Sequence, residues 1–174
     1  MGDYMSLVPE WLPDWWEDNY VDQERLLIGL FEQLLPEVEC GRWQPDDYLD
    51  QESGQPVDIE TPRLWFWRQP GGVEDYQRGH DTGVIEVTAV SGHPDYSNRL
   101  QDFVRTILLP MEGQKVKMED GYVATIQCVN GLTGGPQMST PGQRIDERIS
   151  TCLYTVTVGL RSRKRYSDKL RELL

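Results

Sequence analysis

The hydrophobic positions of this 174-residue chain change their spacing several times, and each spacing predicts a different element. Between Leu26 and Leu35 apolar residues recur every three or four positions, which is typical of an amphipathic helix. Asp22 is a suitable N-cap, Val21 and Leu26 have the spacing of a hydrophobic staple, and Pro36 follows the last apolar residue. We therefore predict a helix from Asp22 to Leu35.

The segment 81–109, DTGVIEVTAVSGHPDYSNRLQDFVRTILL, switches from alternation to helical spacing in its middle. Its first half predicts a strand over 84–90, and its second half predicts a helix over 96–109 that Pro110 ends. Gly92 and Pro94 turn the chain between them, and we expect Asp95 or Ser97 to cap the helix.

Alternating or β-rich runs elsewhere predict further strands within 37–44 and over 63–68, 121–130 and 149–160. The stretch 69–83 is interpreted as a turn-bearing connection, so strands 63–68 and 84–90 are expected to form a hairpin. In the strand 121–130, alternation assigns Ala124, Ile126 and Cys128 to one face and Val129 to the other. The last strand has the clearest alternation, with one face formed by Cys152, Tyr154, Val156, Val158 and Leu160 and the other by Thr151, Leu153, Thr155 and Thr157.

This order of elements favours an α+β (mixed α/β) fold. The most economical arrangement is one mixed, largely antiparallel sheet of 4–5 strands with two helices packed on one face. The strand 83–91, the helix 96–109 and the strand 121–130 have the spacing of a βαβ unit. We expect a single domain over 21–161, preceded by a Trp-rich N-terminal arm, 1–20, and followed by a basic C-terminal helix or tail, 162–174. The domain is expected to contain an acidic loop, 45–61, and a Gly/Pro-rich loop, 131–147.

Charge divides this chain more sharply than hydrophobicity does. The net charge is −12, but residues 1–60 carry sixteen acids against Arg25 and Arg42, whereas residues 161–174 carry six bases against two acids. So acidic a protein is poorly suited to wrapping nucleic acid, because phosphate neutralisation needs clustered cations. The two ends should attract each other, or oppositely charged neighbours in an assembly.

Reactive constellations are missing from the sequence. It contains no P-loop, no GxGxxG after a strand, no GxSxG and no HExxH. Ser91, His93 and Asp95 lie within five residues, a spacing that does not reproduce a catalytic triad. His80 and Asp81 are also not expected to act together as a catalytic dyad, because adjacent side chains on an extended chain point to opposite sides.

The cysteines also favour a structural interpretation. Cys40, Cys128 and Cys152 are widely separated and complete no metal-ligand spacing with either histidine, so they are interpreted as small buried residues in a reducing compartment. We therefore predict no catalytic residue, no cofactor and no metal site, and expect that the protein is not an enzyme.

The aromatic N-terminal arm suggests a role in association. Trp11, Trp15 and Trp16 are costly to leave in water, yet their segment lacks the period of a core element. The arm is expected to dock either on its own domain or on a neighbouring subunit, and both alternatives stay open at this point.

The ordered set of segments resembles the tail terminator (tail-completion) proteins of long-tailed bacteriophages. The resemblance covers about Val21 to Arg161, and its pieces are the leading helix, PRLWFWRQPGG, DTGVIEVTAVSG running into RLQDFVRTILL, CVNGLTGGPQ and STCLYTVTVGLR. It implies a structural virion protein that forms a ring, typically a hexamer, on the tail tube. Such a ring ends tube polymerisation and provides the joining surface to the head, while genomic DNA passes through without sequence-specific binding. The alternatives are another head–tail connector, an adaptor or stopper, and more remotely a small cytosolic ligand-binding domain or enzyme.

The resemblance also implies partners and a location: other copies of the chain, the tail tube protein and a head–neck connector, in a tail assembled in the bacterial cytoplasm, without a membrane. The residues expected at subunit or partner interfaces lie in the arm, the Gly/Pro-rich loop, the threonine face of the last strand and the basic tail: Trp11, Trp15, Trp16, Gly134, Gly135, Thr155, Thr157, Arg161, Arg163 and Arg165.

Overall fold

The computed structural model describes residues 11–42, 50, 52, 60–135, 137–139 and 148–174, with only the backbone described at 137–139 and 148. The helices within these residues are α1 (Gln23–Leu34), α2 (Pro94–Leu108) and α3 (Ser167–Leu173). The strands are β1 (Glu39–Arg42), β2 (Arg63–Asp75), β3 (His80–Ser91), β4 (Lys115–Lys117), β5 (Val123–Gly131), β6 (Gln137–Ser139) and β7 (Arg148–Gly159).

These strands form a single mixed sheet. Its order is β1-β2-β3-β7-β5-β4, and β6 pairs with β7 along the same edge as β5. The β1–β2 pair is parallel and the other pairs are antiparallel. The predicted α+β class with a largely antiparallel sheet is confirmed. The predicted number of 4–5 strands is too low, because β4 and β6 have three residues each and are too short to show alternation.

The predicted βαβ spacing corresponds to a unit that is split in space. Both β3 and β5 pair antiparallel with β7, so they run parallel to each other with β7 between them. Helix α2 connects these two parallel strands, as the spacing predicted. What spacing within one segment could not predict is the insertion of the last strand between them, since that pairing joins distant parts of the chain.

The two predicted helices pack on one face of the sheet. Phe31 of α1 lies at their junction, with its ring centroid 5.5 Å from that of Phe66 in β2 and 6.5 Å from that of Phe103 in α2. Leu27 of α1 and Val104 of α2 are fully buried in the same core. Helix α1 contacts β1, β2 and β4, which lie at opposite ends of the strand order, so the sheet curls around this helix.

Helix α1 begins as predicted. The side chain of Asp22 accepts a hydrogen bond from the Arg25 N–H, as expected of an N-cap. The staple pair, Val21 and Leu26, is buried in the core. The cap therefore fixes the helix at the point where the chain enters the domain.

Helix α2 begins earlier than predicted, and its cap is neither Asp95 nor Ser97. Pro94 occupies the first helical turn, where its missing N–H costs nothing, and the Nδ1 atom of His93 accepts a hydrogen bond from the Asp95 N–H. Ser97 is buried instead, and its hydroxyl lies 2.8 Å from that of Ser91. The corner is thus a helix start reinforced by a serine pair.

A register shift in β5 changes which side chains reach the core. Pairing with β7 is shifted between Ile126 and Cys128, as in a β-bulge. The extra residue reverses the alternation, so Val129 is buried and Cys128 is half-buried. The sequence prediction that Cys128 shares a face with Ala124 and Ile126 is therefore wrong, because strict alternation does not survive a bulge.

The β2–β3 hairpin is confirmed, but its strands are longer than predicted. The segment interpreted as a connection continues both strands as far as Asp75 and His80. Pairing is irregular between Gln69 and Val73, where Gly71 and Gly72 adopt positive φ angles of 121° and 99°. Pro-Gly-Gly therefore makes an irregularity inside the hairpin and not its turn.

Beyond Phe66, the edge of β2 that faces away from β3 is unpaired by any described strand, and two features there hinder the pairing of a further strand. Strand β1 pairs with β2 only as far as Phe66, and in the described part of the chain no other strand continues along that edge. The Arg68 N–H donates to the carboxylate of Glu24 on α1 at 2.8 Å, and Pro70 has no N–H to offer.

A buried ion pair fixes the hairpin to α1. Asp81, at the start of β3, has a side chain only 1% exposed and accepts two hydrogen bonds from Arg68, at 2.9 and 3.0 Å. The Gln23 amide of α1 donates to the same carboxylate at 3.2 Å and to the Asp81 carbonyl at 3.1 Å. Two strands and a helix therefore meet at one carboxyl group.

We predict that Gly72→Ala destabilises the protein by about 2 kcal/mol or more, because its Cβ would lie 2.0 Å from the Thr82 carbonyl oxygen at a strained φ. Gly29→Ala in α1 is the matched control, since its Cβ meets nothing within 4 Å. It should stabilise the helix by about 0.5–1 kcal/mol. Urea unfolding followed by circular dichroism measures both, and equal stability of the two variants would contradict the expectation.

Candidate assembly surfaces

The described part of the N-terminal arm, residues 11–20, docks on the C-terminal segment of its own chain. The rings of Trp15 and Tyr166 lie 5.3 Å apart, and the Tyr166 hydroxyl accepts a hydrogen bond from the Glu17 N–H at 2.8 Å. Lys164 pairs with the Glu17 carboxylate, and the Arg161 N–H donates to the Asn19 carbonyl at 2.9 Å. We call these contacts between residues 15–19 and 161–166 the terminal clasp. Own-chain docking, one of the two alternatives, is the arrangement in the isolated subunit.

The C-terminal segment in turn crosses the tip of the β2–β3 hairpin. Arg163 donates to the carbonyls of Gln77 and Arg78 at 3.4 and 2.6 Å. Arg165 lies 6.0 Å from the centroid of the Tyr76 ring, within the range of a cation–π contact. At one end of the molecule, therefore, the tail packs on the tip of the hairpin and the arm packs on the tail.

Arg161 anchors the start of the tail on the loop before β5. Its guanidinium forms an ion pair with Asp120 and lies 4.5 Å from the centroid of the Tyr122 ring. Partial burial raises the pKa of Asp120, but the hydrogen bonds from Arg161 and from the Tyr122 N–H outweigh that effect, so this pKa lies below its ordinary value of 3.8.

The tail cations predicted to meet an acidic neighbour thus have contacts within their own chain. Arg161 contacts a carboxylate, Arg163 contacts backbone carbonyls and Arg165 contacts a tyrosine ring. Arg163 and Arg165 are exposed, whereas the Arg161 side chain is only 23% exposed in its pair with Asp120. Exposed contacts contribute little to stability, so Arg163 and Arg165 are the cations more available to a partner. Their role at an interface stays a prediction.

The first part of the Gly/Pro-rich loop runs alongside β7. The Leu132 N–H donates to the Leu153 carbonyl at 2.8 Å, and the Thr133 hydroxyl accepts from the Leu153 N–H at 3.3 Å. Gly134 is exposed, and Gly135 is half-buried with a positive φ of 154°. The rest of this loop, 136 and 140–147, and most of the acidic loop 45–61 lie outside the described residues, as do residues 1–10 of the arm.

The threonine face of β7 lies on the side of the sheet opposite the helices. Thr155 and Thr157 are half-buried, and the Thr157 hydroxyl is 2.9 Å from that of Thr82 on β3. Because β7 is central in the sheet, this face is a surface of the molecule and not an exposed strand edge. In the register of the two strands, Thr155 lies opposite Val84 and Thr157 lies opposite Thr82.

Exposed apolar side chains form a second feature, which the site prediction named only at Trp11. Trp11 is 80% exposed, and in α3 Leu170 and Leu173 are 48% and 62% exposed. The i, i+3 spacing of these leucines in the sequence was the signal available for an apolar stripe on the tail. Large apolar residues in water are typical of surfaces that associate.

The residues that the sequence offered as candidates for catalysis or metal binding have structural roles. Asp81 is held by Arg68, and His93 is a helix cap. Burial, with further contributions from Glu32 and Glu39, raises the pKa of the Cys40 thiol to about 12, which makes it a poor nucleophile. Within the described residues, no group of three or more His, Cys, Asp or Glu side chains has an arrangement that could hold a metal ion.

Comparison with known proteins adds one finding. Residues 19–165 match the family model described as phage tail termination protein. No curated protein matches the chain. Among the described residues, no helix has both the length and the apolar character needed to cross a bilayer.

We predict that Arg161→Gln raises the pKa of the Asp120 carboxyl, because a hydrogen bond to the charged form is lost. Since the folded pKa of Asp120 is lowered, its contribution to stability is present above the unfolded pKa and disappears as pH falls through the folded value. Carboxyl NMR titration measures the change. Arg171→Gln, which removes the Asp168 pair on α3, should leave Asp120 unchanged; an unmoved Asp120 titration in Arg161→Gln refutes the assignment.

Proposed function

Because the chain belongs to the family of phage tail termination proteins, we propose that it forms a ring that caps the tail tube, ends tube polymerisation and provides the joining surface to the head. The family match is the observation that carries this proposal. It extends from just before α1 to beyond β7, and therefore covers the whole sheet and both core helices. Membership gives the chain a structural role in the phage tail and a place in the virion.

A ring of identical subunits needs a heterologous interface, in which two different surfaces of each copy meet. In this proposal Thr155, Thr157 and the loop at Gly134 and Gly135 contribute to that interface. The two threonines are supported by their position on the side of the sheet opposite the helices, where half-buried side chains still have surface to lose. The ring is a hexamer, assembled in the bacterial cytoplasm.

The axial partners are the tail tube protein on one side and a head–neck connector on the other. Genomic DNA passes through the hole without sequence-specific binding. The acidic character of residues 1–60 supports this part of the proposal, because carboxylates facing the hole repel phosphate.

The second candidate function is another head–tail connector, an adaptor or a stopper. Such a protein also lies between tail and head, and its subunit has a similar size. The two functions can be distinguished in the phage by tail length, because loss of a terminator removes the control of tail length and loss of a connector does not.

Deletion of the gene from the phage genome, followed by electron microscopy of lysates, tests the function directly. We expect tails of uncontrolled length that are not attached to heads, because nothing stops the growth of the tube. Complementation with the intact gene should restore tails of uniform length. Loose tails of normal length identify a connector instead and overturn the terminator assignment.

We also predict that Thr155→Arg weakens ring formation at least about tenfold, a change of about 1.4 kcal/mol per contact, because a long charged side chain enters the proposed interface. Thr106→Arg is the matched control, since Thr106 is an exposed threonine on α2. Light scattering reports ring size and circular dichroism reports folding. Rings of unchanged stability in folded Thr155→Arg would remove this face from the interface.

A further inference from the structure

The terminal clasp has two features that a purely structural contact within one chain does not require. Its aromatic pair lies outside the family match, since Trp15 precedes residue 19 and Tyr166 follows residue 165. The arm also contributes nothing to the hydrophobic core, whose first member is Val21. The arm side of the clasp, residues 15–18, and Tyr166 therefore lie outside the matched region, whereas Asn19 and residues 161–165 lie inside it. The described arm residues 11–20 are also not members of the core, so their contacts can open without unpacking it.

The two halves of the clasp are complementary in charge. Residues 11–20 of the arm carry three acids and no base, and residues 161–166 carry four bases and no acid. Their contacts include the Glu17–Lys164 ion pair, in which both side chains are about half exposed. Every copy of the chain thus carries one acidic arm and one basic tail, which are the two different surfaces that a head-to-tail interface needs.

The closed clasp also leaves apolar surface in water. Trp11 is 80% exposed, and the leucines of α3 beside the clasp are about half exposed or more. Exposed aromatic residues near cations have the composition of protein–protein interfaces, which are enriched in Trp, Tyr and Arg. This end of the molecule therefore offers a second copy two things: a tail that can bind its arm, and exposed apolar side chains that it can cover.

We propose that in the assembled ring the arm of each copy packs on the tail of the neighbouring copy, through the same contacts that it makes with its own tail in the isolated subunit. The exchange costs little, because the interactions that open within one chain form again between two chains. Trp15 meets the neighbour's Tyr166 ring, and Glu17 meets the neighbour's Lys164. The residues next to Val21 act as the hinge. This inference rests on the proposed ring.

Cross-linking between two differently tagged variants tests the exchange. One variant carries Glu17→Cys and the other Lys164→Cys, both in a Cys128→Ser background. The remaining cysteines react poorly with a maleimide, because the pKa of Cys40 is raised to about 12 and Cys152 is buried. The variants are mixed, assembled and treated with a short bis-maleimide, while light scattering follows ring formation in the same samples. Glu17→Cys mixed with Thr106→Cys is the control pair.

We expect a covalent dimer that contains both tags on a denaturing gel, and none from the control pair. A single chain carrying Glu17→Cys and Lys164→Cys should cross-link internally when diluted below the assembly concentration. Rings of normal size with only internal cross-links overturn the exchange and leave the proposed ring intact. A sample without rings, both alone and with tail tubes, overturns the exchange and the proposed ring together.

Discussion

The buried carboxylate of Asp81 is the interaction on which the arrangement of this molecule depends. Arg68 of β2 and Gln23 of α1 both bind it, so the hairpin and the helix are fixed relative to each other. The Arg68 side chain is about one-third exposed, whereas Asp81 is buried. Removing Arg68 would therefore leave an unpaired carboxylate in the interior, which costs more than removing Asp81 and leaving the partly exposed arginine. The position of the hairpin tip, which the tail crosses, follows from this fixed point.

From that tip outward, the tail and then the arm are held by contacts outside the hydrophobic core. The tail is held on the tip by backbone carbonyls and a tyrosine ring, and the arm is held on the tail by an aromatic pair and an exposed ion pair. Exposed contacts open with small free energies, whereas the core opens only with global unfolding. The chain therefore combines a buried sheet core, which the family match covers, with ends that are held by contacts outside that core.

The sequence predicted what local geometry dictates. Helix α1 with its Asp22 cap, the alternation of β7 and the hairpin follow from periodicity and turn residues, which act within a few positions. The reversal of faces at Cys128 could not be predicted, because one extra residue in a strand leaves no local signal. The clasp was foreseen only as an attraction between opposite ends, since Glu17 and Tyr166 are 149 positions apart and no periodicity relates them.

The half-paired edge of β2 has a consequence for the life of the protein before assembly. A strand edge with free N–H and C=O groups can recruit strands from other molecules, which leads to aggregation. Three features prevent a regular row of backbone hydrogen bonds along that edge. They are Pro70, the irregular pairing at Gly71 and Gly72, and the Glu24 carboxylate that accepts from the Arg68 N–H. Features that look like imperfections in the hairpin thus guard the free subunit against aggregation and against pairing with the wrong neighbour.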